Sequence, residues 1–199
     1  MENDKCVFAG ITAEITRLCN MQCPHCSNGE PQDLSMTPEI IDRVFEEVAD
    51  CKAVWFGGGE VLLRPDLIEA FVNRIIDSDW TTWYVEFTTN GKILSMRIVD
   101  LLEKFCRSKT GRKALIRISR DDFHEKGYAD TAMAFYQKNV ANPNISLEFV
   151  EAGADVSPLY PVGRCKKLLK SHPELYQKYT IFDYTVNVNE FLSHTPANF

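Results

Sequence analysis

The chain has 199 residues, 45% of them hydrophobic and 25% charged, a composition that suits one globular domain with a sizeable core. Its 22 basic and 28 acidic residues leave a net charge of −6, which argues against bulk electrostatic attachment to nucleic acid or to an anionic membrane. The start, Met1-Glu2-Asn3-Asp4-Lys5, is neither a signal nor a transit peptide, and no apolar run reaches membrane-spanning length, so a cytoplasmic protein is expected.

Ile11 to Ile15 reads as a short strand leading into Cys19-Asn20-Met21-Gln22-Cys23-Pro24-His25-Cys26. Thr37-Pro38 is an N-cap followed by proline at the first helical position, and Ile40, Ile41, Val44, Phe45 and Val48 continue at helical spacing. Ala53 to Phe56 is a buried strand ended by Gly57-Gly58-Gly59-Glu60. Pro65 opens a second helix with Leu67, Ile68, Phe71, Val72, Ile75 and Ile76 on one face. Trp83 to Phe87 is a strand ended by Thr88-Thr89-Asn90-Gly91, and Leu94, Ile98, Leu101, Leu102 and Phe105 mark a third helix. Leu115 to Ile118 is a strand ended by Ser119-Arg120-Asp121; a helix near Tyr128 to Lys138 and a strand from Ile145 to Val150 follow. Arg164 to Tyr176 reads as helical and Tyr179 to Val188 as a last strand.

About six strands alternating with five helices predict an α/β fold with a parallel sheet and helices outside it. A full eightfold barrel needs about 250 residues. The expectation is therefore one domain over residues 1–199, a partial, open (β/α)6 barrel like part of a TIM barrel, with a doubly wound sheet as the alternative. The distinctive polar and glycine-rich stretches each follow a strand. They should therefore meet at the carboxyl edge of the sheet, where α/β folds build their sites.

Seven cysteines without an export signal do not indicate a disulfide framework. Three of them, Cys19, Cys23 and Cys26, have the spacing C-x3-C-x2-C, while Cys6, Cys51, Cys106 and Cys165 are scattered. Three local thiolates can hold three irons of a cubane and leave the fourth open to an exogenous chelator. Zinc is the alternative, but a structural zinc site needs four ligands, and no second C-x2-C pair exists.

This spacing, with Asn20 after the first cysteine and an aromatic ring, His25, before the last, resembles the radical S-adenosylmethionine (SAM) superfamily. The resemblance implies a 4Fe–4S cluster on Cys19, Cys23 and Cys26, with SAM chelating the open iron and His25 near its adenine. It implies an enzyme that cleaves SAM reductively to a 5′-deoxyadenosyl radical, which abstracts hydrogen from a substrate. Gly58-Gly59-Glu60 resembles the GGE motif that receives SAM's amino group, with Val61 where the family often has proline. Thr89-Asn90 falls in a TNG-like motif. Ser119 and Asp121 resemble the ribose-binding S-x-D pattern, between which Arg120 is offered to a carboxylate of SAM.

Taken alone, each of these motifs also reads blandly: a glycine turn, an Asn-Gly turn, a solvent-facing arginine. Asp121-Asp122-Phe123-His124-Glu125 and Gly163-Arg164-Cys165 resemble elements of one subgroup; His124 is then offered to substrate or cofactor, although a lone histidine more often packs or faces solvent, and Cys165 is expected to be buried. No cysteine follows Cys165, so a single cluster is expected. The resemblance implies an electron donor such as a flavodoxin or ferredoxin, and a peptide, protein or small-molecule substrate. The expected products range from crosslinked or oxidised peptides to an activated glycyl-radical enzyme. With 18 residues before Cys19, a leader-peptide domain is not expected. A non-enzymatic metal-binding module is the reading from a different class.

Overall fold

The structure, a computed structural model, describes residues 5–154 and 157–182. Five strands form one parallel sheet: β2 (Ile11–Thr16), β4 (Ala53–Gly58), β5 (Tyr84–Thr89), β6 (Lys113–Ser119) and β7 (Ile145–Val150). Their order in space is their order in the chain. A doubly wound sheet reverses direction and puts its first strand inside. Here β2 is an edge and the winding never reverses, so the fold is a singly wound, barrel-like α/β sheet. Parallel crossovers in one direction, right-handed as they almost always are, place all helices on one face. Consistent with this, α1 (Pro38–Glu47), α2 (Pro65–Asp77), α3 (Met96–Ser108) and α4 (Tyr128–Asn139) pack side by side in chain order.

The helices form where the sequence caps them. Thr37 Oγ1 accepts from the Ile40 N–H, and Ser95 Oγ accepts from the Ile98 N–H (3.3 Å). α2 begins on Pro65 and buries Leu67, Ile68, Phe71, Val72 and Ile75 against the sheet. Each such side chain contributes roughly 1.5–3 kcal/mol relative to exposure. The strands supply the facing layer: Ile15, Val54, Phe56, Val85, Phe87, Ile116 and Ile118 are all buried in the same core. The opposite face is polar, because side chains alternate along a strand. Tyr84, Glu86 and Thr88 share it on β5, and Arg117 and Ser119 share it on β6.

Three expectations are corrected. Val48 is not the end of α1; it begins β3 (Val48–Cys51), which pairs in parallel with β1 (Cys6–Phe8) in a separate two-stranded sheet. Leu94 lies before α3 and is exposed. The segment expected to be one helix from Arg164 is α5 (Gly163–Ser171) followed by α6 (Leu175–Lys178). Pro173 lies between them, where proline removes a donor and clashes with the preceding turn. Of the expected last strand, residues 183–188 lie outside the described residues, and Ile181 bridges Leu159 in parallel.

Candidate active site

Thr16, at the end of β2, is the first fixed point of the site. It is buried; its hydroxyl donates to the Leu34 carbonyl (3.1 Å), bonds the Ser35 hydroxyl (2.8 Å) and accepts from the Leu18 N–H (3.1 Å). The backbone adds Arg17 N–H to Leu34 O (2.7 Å) and Met36 N–H to Ile15 O (2.8 Å). Residues 17–35 therefore leave the sheet and return to it as a loop with a stapled neck. Cys19, Cys23 and Cys26 sit on this loop, partly exposed and free of disulfides. The Cys26 N–H donates to the Cys23 carbonyl (3.2 Å), which makes a tight turn of the second and third cysteines. Burial pushes the Cys19 thiol up from its ordinary value.

Gly58 and Gly59 lie flat against the chain that enters this loop. The Gly59 N–H donates to Thr16 O (2.7 Å) and the Glu60 N–H to Leu18 O (2.8 Å). A Cβ at Gly58 would meet Thr16 O at 2.1 Å, and one at Gly59 would meet Leu18 O at 2.0 Å. Gly58 also has φ +128°, a backbone region that disfavours any side chain. The glycines are thus required by close backbone approach alone.

Glu60 is 1% exposed. Its Oε1 accepts from the Leu62 N–H (3.1 Å) and the Thr89 hydroxyl (2.8 Å), and its Oε2 from the Asn90 N–H (2.8 Å). Burial raises its pKa against the pull of these donors. The carboxylate therefore spends itself joining the β4 loop to the β5 loop. The chain continues upward: Asn90 Nδ2 donates to Asn20 Oδ1 (2.8 Å), and Lys92 Nζ donates to the Asn20 carbonyl (3.3 Å) and to Glu125 (2.7 Å). Three loops from three strands are locked into one support beneath the cysteines.

After β6, the Asp121 side chain is 4% exposed and folds back on its own segment. Oδ1 accepts from Phe123 N–H (2.9 Å), His124 N–H (3.1 Å) and His124 Nδ1 (2.8 Å), while Oδ2 accepts from Ala152 N–H (3.1 Å). Burial opposes the charge, but these donors outweigh it and hold the carboxyl at about 2. Burial likewise opposes a charge on His124, yet hydrogen bonds with Asp121 and Cys23 raise it to about 9. His25 packs its ring on Phe123 (4.8 Å) and edge-on to His124 (4.9 Å). Burial pushes His25 down to about 4, so its ring is neutral.

A cavity of about 360 Å³ opens over this assembly. The three cysteines, His25, Gly58, Gly59, Glu60, Thr89, Asn90, Ser119 and Asp121 all line it. Arg120 does not: it faces a neighbouring cavity, with its guanidinium 3.7 Å from the Phe149 ring centre and its charge near Glu151 (3.5 Å) and Asp130 (3.8 Å). The alternation of side chains at a strand end explains this, because Ser119 and Asp121 share one face and Arg120 takes the other. The same rule brings in Arg117, two residues before Ser119, which lines the main cavity and pairs with buried Glu86 (3.0 Å). Arg164 lines it too, 141 residues after Cys23 in the chain. Cys165 is fully buried, as expected.

The donor set fits a cubane bearing a bound organic ligand. Three disulfide-free thiols from one loop open onto the cavity, and beside them His25 Nδ1 is buried without a hydrogen-bond partner among the described residues. The profile of the Radical SAM superfamily matches residues 13–155, a span that runs from β2 past β7 and contains every cavity group named above except Arg164. The chain belongs to the radical SAM superfamily. This radical SAM enzyme is 31% identical over 100 residues to the PqqA peptide cyclase of Granulibacter bethesdensis, a match covering 48% of the chain and 26% of that protein. It is 39% identical over 64 residues to the PqqA peptide cyclase of Bradyrhizobium diazoefficiens, covering 30% and 17%. The matched parts thus span about a quarter or less of these relatives' length. Among solved structures, Streptococcus suis SuiB bound to precursor peptide SuiA aligns with a TM-score of 0.42 at 12% identity, over 87% of this chain and 47% of SuiB. No helix among the described residues is long and apolar enough to cross a membrane.

Proposed function

We propose that this radical SAM enzyme holds one 4Fe–4S cluster on Cys19, Cys23 and Cys26, binds SAM in the cavity above them, and uses it to modify a peptide. The carrying observation is the convergence of three free thiols and the glycine, TNG-like and S-x-D segments on one cavity. When bound and reduced, the cluster supplies the electron that splits SAM into methionine and a 5′-deoxyadenosyl radical able to take hydrogen from substrate.

The chain's own residues position and shield. The Glu60 network fixes the height of the cysteine loop over the sheet edge. Gly58 and Gly59 let the β4 loop lie against the chain entering the cysteine loop, which sets their backbone at the cavity wall for the amino end of SAM. Ser119 offers a hydroxyl and Asp121 Oδ2 an acceptor to the ribose. Neutral His25 lends an apolar ring face to the adenine. Arg117, rather than Arg120, is the cation offered to SAM's carboxylate. Such positioning is what a protein contributes to cofactor-borne chemistry.

A peptide substrate is supported by the match to PqqA peptide cyclases and by the polar concave face, where Glu86, Arg117 and Glu148 carry charge and Trp55 is partly exposed. A small flavodoxin or ferredoxin in the cytoplasm is the electron donor on this reading. Anaerobically reconstituted protein, reduced and given SAM, should release 5′-deoxyadenosine. Cys23→Ala should lose both bound iron and that product; full activity in this variant would refute the ligand assignment.

A further inference from the structure

The turn formed by Cys23 and Cys26 is held from the far end of the chain. The Cys26 carbonyl accepts two N–H groups from the first turn of α5, Arg164 (2.9 Å) and Cys165 (3.3 Å). The Cys23 carbonyl accepts from Arg164 Nε (2.9 Å) in addition to the Cys26 N–H. Gly163 makes this approach possible. It has φ +55°, and a Cβ there would meet Ser27 O at 2.3 Å and Gly29 N at 2.7 Å. α5 is itself anchored, because Cys165 and Leu169 are buried with Leu159 in a small second cluster. The Cys26 carbonyl thus caps the first turn of α5, which has no side-chain cap, so helix and turn hold each other.

Arg164 also brings charge. Its side chain is 13% exposed, and its partner, Glu30 (3.2 Å), is 65% exposed. A solvated carboxylate is screened and offsets a half-buried guanidinium only weakly. The guanidinium stays protonated at any working pH. Adding an electron to a cluster on three thiolates adds negative charge, and net charge and nearby donors set cluster potentials.

We propose that Gly163 and Arg164 form a clasp that holds the Cys23–Cys26 turn in its ligating shape, and that Arg164 raises the reduction potential of the cluster bound there. The second half rests on the cluster reading above; the first does not. Arg164 is a positioning residue, and its test needs no turnover.

In full-length apoprotein, hydrogen–deuterium exchange over residues 19–30 should speed up in Arg164→Met and Gly163→Ala while the β5–β6 core exchanges as in the wild type. Unchanged exchange in both variants overturns the clasp. In anaerobically reconstituted protein, an EPR-monitored redox titration should give a lower midpoint potential for Arg164→Met and one close to wild type for Arg164→Lys. Arg164→Lys keeps the charge and the fold while losing the guanidinium fork, so it should still release iron to a chelator faster. Equal potentials in wild type and Arg164→Met, with faster exchange in the latter, overturn the electrostatic role and leave the clasp. A wild-type protein that forms no iron–sulfide species overturns the cluster reading, and the exchange experiment alone then decides the clasp.

Discussion

At Gly59 the backbone has no positive φ, so any cost of a side chain there is steric alone. Gly59→Ala pushes a methyl group onto the Leu18 carbonyl, one residue before the first cysteine. Overpacking of this kind costs typically about 1–3 kcal/mol. A denaturant titration should show that loss, and reconstituted Gly59→Ala should hold less iron than the wild type. Asp50 offers a pH test away from Cys19, Cys23 and Cys26. It accepts from Lys52 Nζ (2.6 Å), the Thr81 N–H (2.6 Å) and the Thr81 hydroxyl (2.7 Å). Burial opposes its charge, but these donors outweigh it and hold the carboxyl at about 2, below its unfolded value of roughly 3.9. A depressed carboxyl stabilises the fold above its unfolded pKa, and that contribution fades as pH falls toward 2. The Tm deficit of Asp50→Asn should be largest near neutrality and shrink between about pH 4 and 2. A deficit independent of pH would deny the charge a role.

Of the residues expected in the site, all but Arg120 line one cavity. The three cysteines and the segments after β4, β5 and β6 meet because each follows a parallel strand, which the apolar periodicity already marks. Arg120 was expected among them, yet strand alternation sends it away and brings Arg117 in. That signal was present in the spacing from Ser119. Arg164 carried no comparable signal, because its link to Cys23 depends on how the distant chain returns.

Elements explain why the cysteine loop is a loop with a shape. Its neck depends on one buried hydroxyl, Thr16 Oγ1, which bonds Leu34, Ser35 and Leu18 at once. Thr16→Val keeps the volume but takes the partner from the Leu18 N–H and the Ser35 hydroxyl, while the Leu34 carbonyl keeps the Arg17 N–H, at a cost of about 1 kcal/mol. Chelator should then strip iron from the variant faster than from the wild type; equal rates would place the loop's rigidity elsewhere. The expected boundaries failed where chain punctuation is missing. α1 passes into β3 at Val48 with no glycine or proline between them, so a helical apolar stripe ran on into a strand. Where Pro65 or Thr37-Pro38 punctuates the chain, the helix begins at the expected residue.

The molecule as a whole is a singly wound sheet with an apolar side under the helices and a polar side open to a ligand. This arrangement puts the βα loops of the sheet at one edge, beside the polar face. The central claim is that the cysteine loop leaves one iron of its cluster open to SAM. The most direct measurement is the EPR spectrum of the anaerobically reconstituted, one-electron-reduced protein, recorded with and without SAM. The account predicts a cubane signal whose g-values shift when SAM is added. A cubane signal indifferent to SAM, or protein that binds zinc in the loop and yields no iron–sulfide signal, would contradict it.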